Sequence, residues 1–144
     1  LLSTPILYHS RGIIRRKSEY YRKLQDVTFE QDWEGWILFM LEVIEESASW
    51  TNQKIQVILE FREQTKHELK AKLPKIYSGE LLDVLFHQPY CRIADLVDRG
   101  IAKRQSASVY LKKLVETGIL KEEKVGREKL FIHDKYRQLL LNKD

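Results

Sequence analysis

Cysteine, proline and glycine are scarce in this chain of 144 residues, which has one cysteine, three prolines and six glycines. The single cysteine, Cys91, excludes an internal disulfide and any zinc site built from two or more cysteines, and it favours a reducing, cytoplasmic compartment. With 43% apolar and 32% charged residues, the chain is neither a collagen-like repeat nor a disordered linker. It has enough apolar side chains for a core.

Long apolar runs are also absent. The longest, Trp36–Leu41, has six residues, whereas a membrane-spanning helix needs about 20, so no membrane partner is expected. The chain begins at Leu1 without an initiator methionine or a charged leader, and we therefore expect it to be a piece of a longer polypeptide.

Nucleotide-binding glycine motifs and metal-ligand spacings are absent as well. Neither Gly-x-Gly-x-x-Gly nor a P-loop occurs, and the four histidines share no two-ligand spacing on one helix, so no metal site is expected. The net charge of +4 is only mildly basic and does not by itself identify a partner.

A domain boundary is predicted at Pro74, where a helical pattern runs into a proline and the preceding residue is disfavoured in the α region. This gives a helical region over 1–75 and a second domain over 76–144. Within the first region, a helix of roughly residues 11–28 is predicted, with Ser10 as its cap.

A second helix is predicted to begin at Asp32, and its helical spacing meets no stop signal before Leu73. A continuous helix of that length would be about 60 Å long, whereas a compact chain of this size has a radius of gyration of roughly 15 Å. We favour a continuous strut, with a bend near Ser49 as the alternative.

The beginning of this helix is apolar around much of its circumference, which is more than one short neighbouring helix can cover. Either something absent from this chain or a second copy of it should therefore pack there, and we expect self-association, as a homodimer, through residues 33–44. The residues predicted to carry that contact are Trp33, Trp36, Phe39 and Met40.

Residues 76–144 follow the element order of a winged helix-turn-helix. The predicted elements are a helix from Leu81 to near Gln88, a two-turn helix from Ile93 stopped by Gly100, a helix Ala102–Thr117 ended by Gly118, β-prone runs Ile119–Val125 and Lys129–His133 joined as a hairpin, and a terminal helix Asp134–Leu141. The predicted fold class is therefore mainly α, with an N-terminal helical region that includes a long helix, followed by a winged helix-turn-helix domain with a small β-hairpin.

The third helix of this domain is the predicted contact with double-stranded DNA, because only a helix or a β-ribbon fits the major groove. From Arg99 to Val115 there are five basic residues and no acidic one. The candidate DNA-binding residues are Arg104, Gln105, Ser108, Val109, Lys112 and Lys113 on the helix, and Lys124, Arg127 and Lys129 on the hairpin.

Two alternatives stay open. Winged helices also serve as protein-docking or dimerisation modules, and basic residues on a helix often serve only solubility. The hairpin itself carries Glu122, Glu123 and Glu128, which nearly neutralise its three basic residues. These glutamates argue against a strong, sequence-specific DNA reader.

Three stretches of the chain resemble the C-terminal part of bacterial Fic proteins. Leu1–Ser10 resembles the segment after the catalytic motif, Gly-Leu-Leu-x-x-Pro-x-Leu-Tyr-x-Ser, and Asp32–Met40 is similar to the family's Asp-Trp-x-x-Trp helix. Leu73–Ile93, together with 102–108 and 125–129, resembles the winged-helix tail of its longer members.

This resemblance implies a parent protein that transfers AMP from ATP, with Mg²⁺, to hydroxyl side chains of target proteins. The family's motif His-Pro-Phe-x-[Asp/Glu]-Gly-Asn-Gly-Arg-x-x-Arg is missing, since no histidine here has phenylalanine two positions on and no Gly-Asn-Gly occurs. The resemblance thus implies no catalytic residue and no cofactor in this fragment. It also implies that the apolar helix around Trp33 packs on the missing Fic catalytic core.

Overall fold

The computed structural model describes residues 9–126 and 128–141. That part of the chain is mainly helical, as predicted, with one small sheet. The helices are α1 (His9–Arg15), α2 (Lys17–Glu30), α3 (Trp33–Lys72), α4 (Gly79–His87), α5 (Ile93–Asp98), α6 (Arg104–Glu116) and α7 (Asp134–Leu141), and the strands are β1 (Tyr90–Cys91), β2 (Lys121–Val125) and β3 (Glu128–Ile132). Residues 1–8 of the resembling segment Leu1–Ser10 and the candidate residue Arg127 lie outside the described residues.

The long helix α3 is continuous over 40 residues, without a break near Ser49. The polar middle of this helix stays helical because its hydroxyls bond to the preceding turn. Ser47 Oγ donates to the Val43 carbonyl at 2.7 Å, and Thr51 Oγ1 donates to the Ser47 carbonyl at the same distance. As predicted, Asp32 caps the start, its Oδ1 accepting from the Gly35 N–H at 2.9 Å.

Close contacts divide the chain into two compact units, one ending at Gln56 and the other beginning at Val57. This division lies within α3. The domain boundary that the sequence predicts at residue 75 lies three residues after the end of α3 at Lys72.

In the first unit, the prediction of one helix over 11–28 is wrong, because the chain turns at Arg16, where φ is −111° and ψ is 34°. The turn brings the Arg16 guanidinium to two carboxylates of α3, with 2.8 Å to Glu42 Oε2 and 3.2 Å to Glu46 Oε1. Gly12 makes the close packing of α1 possible, since a Cβ there would lie 2.8 Å from Val43 Cγ1.

The second unit has the main hydrophobic core, formed by residues of α3, α4, α5, α6 and the sheet. Its fully buried large side chains include Leu69, Leu81, Leu82, Leu85, Leu96, Leu111, Leu114 and Phe131. Helix α4 begins at Gly79, two residues earlier than predicted, with the Ser78 hydroxyl accepting from the Leu81 N–H at 3.1 Å. Helix α6 begins at Arg104, two residues later than predicted.

The predicted hairpin is confirmed, and a short strand that was not predicted extends it. The sheet order is β1-β3-β2 and all pairs are antiparallel. Within β1, Tyr90 pairs with Ile132 and Cys91 pairs with Phe131. Two residues are too few to show the alternating pattern by which a strand is recognised in sequence.

His133 follows β3 and is buried at 3% exposure. Its ring lies among the aromatic rings of Phe61, Phe86 and Tyr136. The backbone there is fixed at both polar groups, since the His133 N–H donates to the Pro89 carbonyl at 2.9 Å and the His133 carbonyl accepts from the Arg137 N–H at 2.8 Å.

Among the helices of residues 9–126 and 128–141, none has the length and apolar character that crossing a membrane requires.

Candidate nucleic-acid interface

Helix α6 has one buried face and one exposed basic face. Ala107, Leu111 and Leu114 are spaced four and three residues apart and are fully buried against the core of the second unit. The same helical spacing turns the opposite face to solvent. The candidate residues on α6 that are exposed are Arg104, Gln105, Val109, Lys112 and Lys113, while Ser108 is half-buried.

The N-terminus of α6 is free of acidic side chains. Lys103 occupies the cap position in an extended conformation and provides no side-chain cap. The first turn of α6 contains no acidic residue. The positive end of the helix dipole therefore adds to the charge of Arg104, which favours an anionic partner at this end.

The hairpin places two candidate lysines directly opposite each other. Lys124 of β2 pairs in register with Lys129 of β3, and both side chains are exposed. Like charges in opposite positions on a sheet repel one another, and an anion between them relieves the repulsion.

Glutamates neutralise part of this surface through ion pairs. Lys129 Nζ forms an ion pair with Glu122, and Lys121 Nζ lies 3.7 Å from Glu123 Oε1. Arg92 Nε lies 3.2 Å from Glu128 Oε2. The hairpin is therefore less positive than its lysine content suggests.

A groove runs between the start of α5, the start of α6 and the start of β3. It is lined by Arg92, Ile93, Ala94, Arg104, Glu128 and Lys129. Three of these side chains are cationic and one is anionic. The structure thus brings Arg104 and Lys129 together, as the sequence predicts for a shared surface, and adds Arg92.

Arg92 was not among the residues predicted to bind DNA. It precedes α5 and is its cap residue, with its backbone N–H donating to Asp95 Oδ2 at 2.6 Å. Sequence alone gives no sign that this position faces the hairpin, because the contact depends on the pairing of β1 with β3. The only available signal was its position immediately before a helix.

In the first unit, the four residues predicted for self-association differ in exposure. Trp33 is 60% exposed, Trp36 and Met40 are half-buried, and Phe39 is 2% exposed. The Arg16 guanidinium lies over the Phe39 ring, 4.8 Å from the centroid of that ring. The ring centroids of Trp36 and Tyr20 are 5.3 Å apart.

Four of the exposed apolar side chains of α3 lie along one side of its first turns. Trp33, Ile37, Leu41 and Ile44 are spaced three or four residues apart, which places them along one stripe. Ile37 and Leu41 are each more than half exposed. We call these four residues the apolar stripe.

Comparison with known families identifies the second unit. Residues 61–136, more than half of the 144 residues, match the family model described as the C-terminal domain of SoFic-like protein adenylyltransferases. The chain belongs to this family. The resemblance to the C-terminal part of Fic proteins that the sequence indicates is thereby confirmed.

Proposed function

We propose that the second unit binds double-stranded DNA, with α6 in the major groove and the hairpin along the backbone. The observation that carries this proposal is the exposed face of α6, where Arg104, Gln105 and Lys112 point to solvent and no acidic residue interrupts Arg99 to Val115. A basic helix face of this kind suits the negatively charged groove.

Each side chain on this face has a matching role in DNA recognition. Arg104 would form two hydrogen bonds to one guanine, Gln105 would hydrogen-bond to adenine, and Val109 would contact a thymine methyl group. Ser108 can hydrogen-bond to several bases. The remaining candidates, Lys112, Lys113, Lys124, Arg127 and Lys129, would contact phosphates and fix the register.

Binding to labelled duplexes at several salt concentrations tests this function. The affinity is expected to fall steeply with salt, with a log–log slope of about −0.9 for each phosphate contacted. Arg104→Ala is expected to cost about 1–3 kcal/mol and to relax specificity at one base pair. Arg137→Ala removes the same charge from α7, where Arg137 is paired with Asp134, and is expected to have little effect.

Failure of the wild-type chain to bind any duplex at low salt would remove the proposal. Equal losses of duplex affinity for Arg104→Ala and Arg137→Ala would mean that the chain binds DNA only by non-specific charge attraction.

A second candidate function is favoured by the apolar stripe of α3. An exposed apolar surface on a helix is typical of a contact with another protein, and here it would be a second copy of the chain or the parent's Fic catalytic core. In this alternative the chain is a docking or dimerisation module that directs a parent adenylyltransferase. Ile37→Glu in the parent, which places a charge in the stripe, would then change which proteins are modified while self-labelling from ATP persists.

The chemistry of AMP transfer, with ATP and Mg²⁺, is proposed for the parent and not for this chain. Over 9–126 and 128–141, no group of three or more His, Cys, Asp or Glu side chains could hold a metal ion. The glycine-rich phosphate-binding motif is missing from the sequence. The side chains of the described residues therefore do not fit Mg²⁺ or ATP, and no catalytic step is assigned to them.

A further inference from the structure

We infer that Arg92 is a phosphate contact of the DNA-binding surface and that Glu128 holds this position in the free protein. A phosphate of the duplex then replaces the Glu128 carboxylate on the guanidinium. This inference rests on the proposed function and adds to it a residue and a control element that the helix α6 alone does not supply.

The groove beside α6 is the first observation that supports it. Arg92 and Arg104 come from the cap of α5 and the first turn of α6, and both line the groove together with Lys129 of the hairpin. Three cations from three separate elements thus converge on one concave surface. A duplex that places its major groove on α6 brings its sugar-phosphate backbone along this surface.

The ion pairs within the groove are the second observation. Arg92 is paired with Glu128 at 3.2 Å, and Lys129 is paired with Glu122. Among the ion pairs of the described residues, none includes Arg104. The free protein therefore presents one unpaired cation in the groove and two that are already occupied by carboxylates.

The exposure of the Arg92–Glu128 pair makes the exchange easy. The side chains are 47% and 61% exposed, and ion pairs that solvent reaches this freely contribute little to stability. A phosphate oxygen offers the same acceptor geometry as the carboxylate, together with the release of counterions from the duplex. Glu128 thereby lowers the affinity for every duplex without blocking the site.

A charge-matched pair of variants separates this role from a general effect of charge. Glu128→Gln and Glu123→Gln each remove one negative charge from an ion pair on the hairpin, but Glu123 is paired with Lys121 and is absent from the groove lining. The probe is a fluorescein-labelled random-sequence duplex, and its anisotropy is measured with the full chain at low salt. Glu128→Gln is expected to raise affinity roughly two- to five-fold more than Glu123→Gln, about the worth of one exposed ion pair.

A second pair of variants tests Arg92 itself. Arg92→Gln is expected to reduce the magnitude of the salt slope by about 0.9, the value of one phosphate contact, whereas Arg137→Gln leaves the slope unchanged. In the double variant with Arg92→Gln, the gain from Glu128→Gln is expected to disappear. Circular dichroism of each variant establishes that the fold is retained.

The outcomes distinguish this inference from the proposed function. If the wild-type chain binds the duplex but the two glutamate variants behave alike, or Arg92→Gln and Arg137→Gln have equal slopes, the inference is wrong and the proposed function stands. If the wild-type chain does not bind at all, both are wrong.

Discussion

The imidazole ring of His133 lies 5.2 Å from the ring of Phe61 between centroids, at an interplanar angle of 60°. The Phe86 ring lies 5.5 Å away on α4, and neither ring nitrogen of His133 has a hydrogen-bond partner among the described residues. Burial in this aromatic site lowers the pKa of His133 to about 4 from its usual 6.5, and the nearby Lys135 charge adds to the effect. His133 is therefore neutral in the folded protein at pH 7.

Stability is expected to fall as the pH is lowered from about 6.5 to about 4 because of this residue. The unfolded chain takes up a proton at its ordinary pKa of 6.5, whereas the folded chain does so only near 4. The stabilisation is complete above pH 6.5 and is lost through that window, by a total on the order of 3 kcal/mol. Urea unfolding at a series of pH values measures this loss.

The matched variants for this experiment are His133→Phe and His87→Gln. Phenylalanine keeps an aromatic ring among Phe61, Phe86 and Tyr136 and removes the titrating group, so the loss between pH 6.5 and 4 is expected to be smaller. His87 is exposed, and its variant is expected to keep the wild-type pH dependence. Identical curves for His133→Phe and the wild type would show that the aromatic site does not control the acid response.

Leu111→Ala is expected to lower the free energy of unfolding by about 2–5 kcal/mol, because it leaves a cavity at a fully buried position of α6. Val109, two residues earlier, is 46% exposed, and Val109→Ala is expected to change stability by no more than about 0.5 kcal/mol. Chemical denaturation of both variants measures the difference. Comparable losses would mean that α6 does not present these two faces as described.

Gly118→Ala is expected to destabilise the chain by about 1 kcal/mol, because the φ of 77° after α6 strains any residue with a Cβ. Gly79 opens α4, and a Cβ added there meets nothing within 4 Å. Gly79→Ala is therefore expected to stabilise by about 0.4–1 kcal/mol through the unfolded state. Thermal melts that show the same sign for both variants would contradict this account.

Self-association through the apolar stripe is expected to be lost in Ile37→Glu. Ile37 is 54% exposed, so a charge there disrupts an intermolecular contact and leaves the packing around Phe39 intact. Gln53→Glu adds the same charge at an exposed polar position of α3 and serves as the control. Sedimentation velocity at micromolar concentration is expected to show larger species for the wild type and Gln53→Glu only. A monomeric wild-type chain would remove the prediction.

The sequence predicts helices and the hairpin of the second unit well because their signals are local. Ser78 caps the beginning of α4 and Gly118 follows the end of α6, and each of these signals acts within a few residues. The spacing of Ala107, Leu111 and Leu114 alone predicts the buried face of α6, and from it the exposed face. Element type and the orientation of the candidate DNA-binding face were therefore predictable.

The features that escaped prediction depend on distant parts of the chain. The turn at Arg16 is explained by carboxylates about 30 residues later on α3, at Glu42 and Glu46. The strand β1 exists only because β3 pairs with it, and the place of Arg92 beside Glu128 follows from the same pairing. No window of neighbouring residues contains that information.

The sheet order β1-β3-β2 also determines where the second unit can be truncated. Tyr90 of β1 lies opposite Ile132 of β3 in the antiparallel register, so the segment between them, with α5, α6 and β2, forms one closed loop of the chain. Closing so long a loop costs entropy that is recovered only when its last strand arrives. The helix that we propose to bind DNA lies inside this loop, so a chain truncated before residue 128 would retain the sequence of α6 but would lack the strand that closes the loop.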